Sequence, residues 1–267
     1  MNDLVSVIVV SYNSEKTIIE TLDSILVQTY KNIEIVVSDD GSNDRTISIV
    51  KEWMQKNGRI LKTKIVESMN NTGIPGNVNR GIRACSGNLI KIIAADDLLL
   101  PDAIMKYLVF YKKNTKTNIY VSKVDLFGDV TNTQIEYCLN AYECMRGGNQ
   151  YHKMLVSNFV IAPSVGLLNK KTVEEMGMFD ERFPAFEDYP FYLKLSRHGY
   201  KYVLIDEALV KYRISGNSAG NGMSKRYMKS MSSFFFREKL RMLLKERMVF
   251  VAAKQIARYG YMYIKAL

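Results

Sequence analysis

Short apolar runs alternate with amphipathic stretches along the first hundred residues. Val5-Ser6-Val7-Ile8-Val9-Val10 is β-branched and ends at the polar Ser11-Tyr12-Asn13-Ser14, which predicts a central strand. Beyond it Ile18, Ile19, Leu22, Ile25 and Leu26 recur at helical spacing, with Ser14 as the expected cap. Ile33-Glu34-Ile35-Val36-Val37-Ser38 predicts a second strand, closed by Asp39-Asp40-Gly41-Ser42, and a helix follows from about Asp44. Lys64-Ile65-Val66 is a weaker third strand. A polar loop from Asn70 to Gly76 leads into a helix ending near Cys85. The run Leu89-Ile90-Lys91-Ile92-Ile93-Ala94-Ala95 then stops at Asp96-Asp97. Repeated β-α units of this kind call for a parallel sheet with right-handed crossovers.

The middle of the chain is less regular. Asn118 to Leu126 reads as a strand, and the polar, turn-rich residues 130–150 as a mobile loop. Phe159 to Ala162 and Val165 to Leu168 read as strands around Pro163. Lys170 to Met176 and Glu187 to Arg197 predict helices, and Tyr202 to Ile205 and Leu209 to Tyr212 two closing strands. A glycine-rich loop spans 216–222, and a helical tail follows, without proline and with no glycine between Met223 and Gly260.

The composition narrows the class. With 267 residues, 47% hydrophobic and 24% charged, the chain suits one ordinary globular domain with an appendage. Cys85, Cys138 and Cys144 are odd in number and at no metal-ligand spacing, which argues against zinc and a disulfide framework and favours a reducing cytoplasm. No basic leader precedes the first strand and no apolar run is long enough to span a bilayer, so neither a signal peptide nor a transmembrane helix is expected. The net charge of +10 is unevenly placed. From Met223 onward eleven basic residues face only Glu238 and Glu246, so the tail carries nine of the ten positive charges.

Two acidic strand tips carry the candidate chemistry. A strand ending at two adjacent carboxylates places negative charge at a sheet edge, where open α/β sheets bind nucleotides. Such charge is costly to bury unless a cation or hydrogen-bond donors meet it, which suggests Mg²⁺ or Mn²⁺ holding a phosphate. Taken alone, the pair fits a helix N-cap equally well. Asp39 ends a neighbouring strand, and Asp39 to Thr46 opens a helix suited to an anion, or simply capped by Asp and Ser. Glu187-Asp188 at a helix start suits the helix dipole as well as catalysis. His152 and His198 read as surface or packing residues.

These blocks together resemble the family 2 glycosyltransferases of the GT-A fold. The resemblance rests on Val5 to Asn13, Gln28 to Ser42, Asn71-Thr72-Gly73, Asn79-Arg80-Gly81, Ala84-Cys85-Ser86-Gly87, Asp96-Asp97, Gly177 to Phe183, Glu187-Asp188, Tyr212-Arg213 and Ser218, all in order. It implies an α/β, Rossmann-like fold with a mostly parallel central sheet flanked by helices. A catalytic domain would cover residues 1–218, with nucleotide-sugar binding over about 1–100 and the acceptor side over about 101–218. A basic amphipathic helical tail would cover 219–267. It implies that Ser11, Tyr12, Asn13, Asp39, Asn79 and Asp96 bind the nucleotide, Asp39 at the uracil or thymine ring and Asp96 at the ribose. Asp97 would hold the Mn²⁺ or Mg²⁺ on the diphosphate. Asp188 would act as general base, supported by Glu187, in an inverting transfer from a nucleotide sugar, UDP-linked by expectation, to a glycan hydroxyl. The implied acceptor is a lipid-diphosphate-linked sugar in surface-polysaccharide synthesis (O-antigen or capsule), at the inner face of the cell membrane. Two positions depart from the family pattern: Ala94 stands where an acid is common, and Ser215 where a histidine is. Those departures would suit an alternative, a non-catalytic nucleotide-sugar-binding homologue acting as a membrane-associated assembly partner.

The tail admits three readings. Its apolar residues can pack on the catalytic core with a basic face to solvent; it can lie on an anionic membrane surface; or it can bind nucleic acid, for which no recognised motif is present. The lipid-linked acceptor favours the second, and no nucleic-acid partner is expected.

Overall fold

The computed structural model describes residues 2–113, 118–157, 160–162, 165–215 and 224–267. Along the chain run β1 (Val5–Ser11), α1 (Ile18–Leu26), β2 (Ile33–Asp39), α2 (Thr46–Asn57), β3 (Lys62–Glu67), α3 (Ile74–Ala84), β4 (Leu89–Ala94) and β5 (Leu98–Leu99). They are followed by α4 (Ala103–Lys113), β6 (Asn118–Gly128), α5 (Asn132–Met145), α6 (Gln150–Val156), β7 (Leu168–Asn169), α7 (Lys170–Glu175), α8 (Asp188–Arg197) and β8 (Lys201–Ile214). The tail forms α9 (Lys225–Phe234), a π-helical turn (Phe235–Lys239), α10 (Leu240–Lys245) and α11 (Val249–Ala266).

The main sheet has the order β3-β2-β1-β4-β7, with β1 to β4 parallel and β7 antiparallel at the edge. Strand order reverses between β1 and β4, so the C-terminal ends of these strands form the switch point where α/β sheets open a ligand crevice. Both faces are covered, as a parallel sheet requires. Alternation sends Val5, Val7 and Val9 to one face, against Ile18, Leu22 and Ile25 of α1 and Val50 and Trp53 of α2. Ile8, Val36 and Ile90 point to the other, against Val78 and Ile82 of α3. Gly81 lets α3 approach this face: a Cβ there would lie 2.5 Å from Ile8 Cγ2. At the opposite edge, the buried Glu34 accepts from Ser6 Oγ at 2.6 Å and from the Ser86 and Gly87 amides. Burial alone would raise its pKa, but these donors and the Lys64 ammonium outweigh it and hold it at about 2.

A second sheet, β5-β8-β6, begins immediately after Asp97. β8 runs unbroken over the two short strands expected from sequence, because it pairs with β6 along its length, with a register shift near Lys123. Two further expectations are corrected. The expected loop over 130–150 contains α5, whose buried side is only Cys138, Ala141, Tyr142, Cys144 and Met145, too sparse to stand out among polar neighbours. The apolar run before Leu168 is not strand among its described residues, apart from a single bridge from Val165 to Val121. It is apolar because Val160, Ile161, Val165 and Leu167 are buried in the core, a pattern periodicity cannot separate from a strand. Phe159 and Pro163, the loop at 216–222 and Ser218 lie outside the described residues. α1 starts at Ile18, not at Ser14, whose carbonyl still accepts the Thr17 and Ile18 amides.

The tail is built into the same core as the sheets. Met228, Met231, Phe234, Phe235, Leu243, Ala252, Tyr259 and Met262 are buried in the same cluster as Ile8, Phe183 and Tyr189. Phe234 meets the rings of Phe183, Phe186 and Tyr189 at 5.3, 6.0 and 5.9 Å, and Phe235 stacks on Tyr259 at 4.4 Å. Core packing is therefore what one face of these helices does. No helix among the described residues is long and apolar enough to cross a membrane.

Candidate active site

The loops after β1 and β2 are joined at the crevice. Parallel register sets Ser11 beside Asp39. Ser11 Oγ donates to Asp39 Oδ1 at 2.9 Å, Ser42 Oγ to the same oxygen at 2.6 Å, and the Ser42 amide to Oδ2 at 2.8 Å. Gly41, at φ +77°, makes the turn that brings Ser42 back. The Asn13 amide donates to Ser42 Oγ and the Asn43 amide to Asn13 Oδ1, at 2.8 and 2.9 Å. Asp39 and Ser11 are thus buried and fixed, whereas Tyr12 between the loops is 46% exposed and open to a ligand.

Asp40 is a clamp. It accepts from the Thr72 and Gly73 amides, Thr72 Oγ1 and Arg80, tying the loop before α3 to the end of β2. Asn79 is engaged elsewhere. Its Nδ2 donates to the Phe179 carbonyl and to Glu181, and its Oδ1 accepts the Phe179 amide. These bonds tie the 179–181 segment to α3.

Asp96 and Asp97 sit where the two sheets meet. Asp97 Oδ1 accepts the Arg213 amide and the Asp96 carbonyl accepts Arg213 Nε, each at 2.9 Å, while the guanidinium also pairs with Glu20. Asp97 Oδ2 is buried with no hydrogen-bond partner. Burial, reinforced by the neighbouring Asp96 charge, raises the Asp97 pKa well above the carboxylate range; burial likewise raises Asp96, against the pull of Arg213. An orphaned buried oxygen beside a second carboxylate fits a hard divalent cation. No group of three or more His, Cys, Asp or Glu residues able to hold a metal occurs among the described residues. A cation here would share its remaining positions with phosphate and water, as Mg²⁺ commonly does.

Glu187 and Asp188 lie at the start of α8. Burial raises both: Asp188 to about 6, and Glu187, with the Asp188 charge added, to about 8. The pair therefore retains a proton near neutrality. The Tyr189 amide donates to Asp188 Oδ1 at 2.6 Å. Four tyrosines feel its charge. Burial chiefly raises the phenols of Tyr137, Tyr192, Tyr212 and Tyr227, and the Asp188 charge adds to each. Tyr212 also feels Asp97 and Asp96, so its phenol lies within electrostatic reach of both the carboxylate edge and Asp188. Sequence reasoning gave these tyrosines no role. Tyr212-Arg213 closed the family resemblance without one, and Tyr227 was submerged in a tail read for its charge.

This arrangement is set within a known family. The family model described as Glycosyl transferase family 2 matches residues 6–173, and the chain belongs to that family. An uncharacterized glycosyltransferase of Haemophilus influenzae is 31% identical over 234 residues, covering 82% of this chain and 68% of that protein. The glycosyltransferase GlyA of Streptococcus pneumoniae is 28% identical over 242 residues, covering 86% of this chain but 33% of that longer protein. Among solved structures, TarS 1-349 of S. aureus in complex with UDP-GlcNAc superposes with a TM-score of 0.68 at 19% identity, covering 98% of this chain and 79% of that one. The mannosyltransferase PcManGT of Pyrobaculum calidifontis, in complex with GDP-Man and Mn²⁺, gives 0.67 at 17%, covering 100% and 73%. At these identities the likeness is one of fold, GT-A.

Proposed function

We propose that this glycosyltransferase moves a hexosyl group, with inversion, from a nucleotide diphosphate sugar to a glycan hydroxyl, using Asp188 as general base. The observation that carries this reading is the placement of Asp188. It stands at the start of α8, where burial raises its pKa to about 6, and Tyr212 lies within electrostatic reach of both it and the carboxylate edge at Asp96-Asp97. A base that ionises just below neutral pH is suited to taking a proton from an alcohol in the transition state. As the acceptor oxygen attacks the anomeric carbon, its proton passes to Asp188. The anomeric C–O bond breaks on the opposite face and its electron pair leaves with the nucleoside diphosphate. Glu187, still protonated, keeps a second negative charge away from the acceptor.

Tyr12 offers its exposed face to the base, and the Ser11–Asp39–Ser42 cluster fixes the loops on either side. Asp97 would hold Mn²⁺ or Mg²⁺, which when bound supplies positive charge to the leaving diphosphate, with Asp96 at the ribose. UDP as carrier is supported by the UDP-GlcNAc complex of TarS, and Mn²⁺ by the GDP-Man complex of PcManGT. A lipid-diphosphate-linked glycan of surface-polysaccharide synthesis, met at the inner face of the membrane, suits the cationic tail. The test is a panel of UDP- and GDP-sugars with Mn²⁺ and lipid-diphosphate acceptors, with product anomers assigned by NMR. An inverted linkage is expected. A retained one overturns the inverting route, and no transfer or donor hydrolysis across the panel overturns the catalytic reading.

A further inference from the structure

Helix α11 is apolar on two opposite sides. One side, Ala252, Tyr259 and Met262, is buried in the core. On the other, Phe250, Ala253, Ala257, Tyr261 and Ile264 recur at spacings of three and four and form one exposed stripe. Phe250 is 93% exposed, Ile264 70% and Tyr261 67%. A helix that is hydrophobic all round is normally buried all round, and large exposed patches mark interaction surfaces. The charge at its border has one sign. α11 carries Lys254, Arg258 and Lys265, all exposed, and no acid. The end of α10 and the turn after it add exposed Leu244, Lys245 and Arg247 beside Val249 and Phe250, with Glu246 paired to His152.

We propose that this outer face of α11 seats the protein on an anionic lipid bilayer, with the Phe250–Ile264 stripe in the acyl–headgroup boundary and the lysines and arginines among the headgroups. Charge complementarity selects this occupant. A second copy joined face to face about a twofold axis would set one cationic rim against another with no acid on α11 to relieve it. Nucleic acid would satisfy the charge but leave Phe250 and Ile264 without a partner. A lipid surface satisfies both, and α11 is short and amphipathic enough to lie on it without crossing. The proposal deepens the lipid-linked acceptor reading, but its readout is binding rather than turnover.

The experiment is flotation of the full chain with vesicles of 30% phosphatidylglycerol in phosphatidylcholine, and with phosphatidylcholine alone. Each basic residue near an anionic surface is worth about a fivefold change in partitioning. Binding to the anionic vesicles is expected to exceed that to neutral ones by more than tenfold and to fall with salt. Phe250→Glu/Ile264→Glu, at positions with no packing role, is expected to keep its circular dichroism and melting temperature and lose at least tenfold in binding. Lys254→Glu/Lys265→Glu is expected to lose a similar factor. Equal binding by wild type and both variants overturns the proposal, as does equal binding to neutral vesicles. A dimer in solution that the Phe250→Glu/Ile264→Glu variant dissolves also overturns it, in favour of a second copy. Vesicle binding without sugar transfer would leave this surface standing and remove the catalytic reading; transfer without vesicle binding would do the reverse.

Discussion

The backbone N–H of Arg213 donates to Oδ1 of Asp97 across 116 positions of sequence. That one bond, with Arg213 Nε on the Asp96 carbonyl, fastens the end of β8 to the acidic tip beyond β4. It orients one Asp97 oxygen and leaves the other, Oδ2, buried and unpartnered. Asparagine at 97 can still accept the Arg213 amide, so Asp97→Asn is expected to fold, yet to need at least about tenfold more Mn²⁺ for half-maximal turnover. Chelation should abolish wild-type turnover and Mn²⁺ should restore it. Ala94 is exposed at the same edge, and Ala94→Asp is expected to lower the Mn²⁺ requirement. Titrating Mn²⁺ against initial rate checks all three.

Asp188→Asn is expected to lower kcat by about 10²–10⁴ while leaving the fold intact, the range for loss of a positioned general base. The wild-type pH profile follows from the same group. Because the base must be ionised and burial raises its pKa to about 6, kcat/KM should fall tenfold per unit below pH 6, level off above it, and decline again above about pH 8 as Glu187 loses its proton. Rates of both proteins from pH 5 to 8.5 provide the check.

Glu187 gives a stability prediction of opposite sense. Its folded pKa of about 8 lies above the ordinary 4.5, so the folded chain holds a proton that the unfolded chain has released between those values. Wild-type stability therefore falls across that window as pH rises. Glu187→Gln, which cannot ionise, should melt higher than wild type at pH 8 by about 2–4 °C for each kcal/mol relieved, with the difference vanishing near pH 4. Melting curves at the two pH values decide it.

At the far edge of the sheet Glu34 behaves the other way. Its folded pKa is depressed to about 2, so its contribution is complete above pH 4.5 and disappears as pH falls toward 2. Glu34→Gln removes a buried charge that accepts from Ser6, Ser86 and Gly87, and should cost about 2–4 kcal/mol at pH 7. Urea unfolding at pH 7 and pH 3 should show that cost shrinking in acid.

A chain ending before Ser224 is expected to lose its fold. It would strip Phe234, Phe235, Leu243 and Tyr259 from the core that also holds Phe183 and Tyr189. Each large side chain lost from a core costs about 2–5 kcal/mol, and a whole domain has only about 5–15 to lose. The far-ultraviolet spectrum and melting of the shortened chain, against the full one, test this.

The parts of the fold legible in the sequence are those whose burial is uniform. β1, β2 and β4 are covered on both faces, and their unbroken apolar runs announce it. The second sheet is only half buried, and β8 carries Asp206 and Glu207 mid-strand, which divides one strand into two apparent ones. α5 had a local signal that went unused: Thr131 and Gln134 form a capping box. The acidic strand tips were visible because strands rarely end in paired carboxylates without cause. The tyrosines that feel Asp188 were not, since Tyr137, Tyr192, Tyr212 and Tyr227 belong to four elements and share no spacing. The partners of Asn79, the Phe179 backbone and Glu181, are a hundred residues away and equally invisible in the sequence.

The seam between Asp97 and Arg213 also has a consequence for the order of assembly. β1 to β4 are built from neighbouring segments and can pair as soon as they leave the ribosome. The acidic edge cannot be finished with them. It waits for Arg213 to arrive from β8, while the aromatic packing around Asp188 waits for Phe234 and Tyr227 from the tail. A nascent chain therefore assembles the loops after β1 and β2 first and the surroundings of Asp97 and Asp188 last, and a chain that stalls partway is left with an open sheet whose acidic tip has no partner.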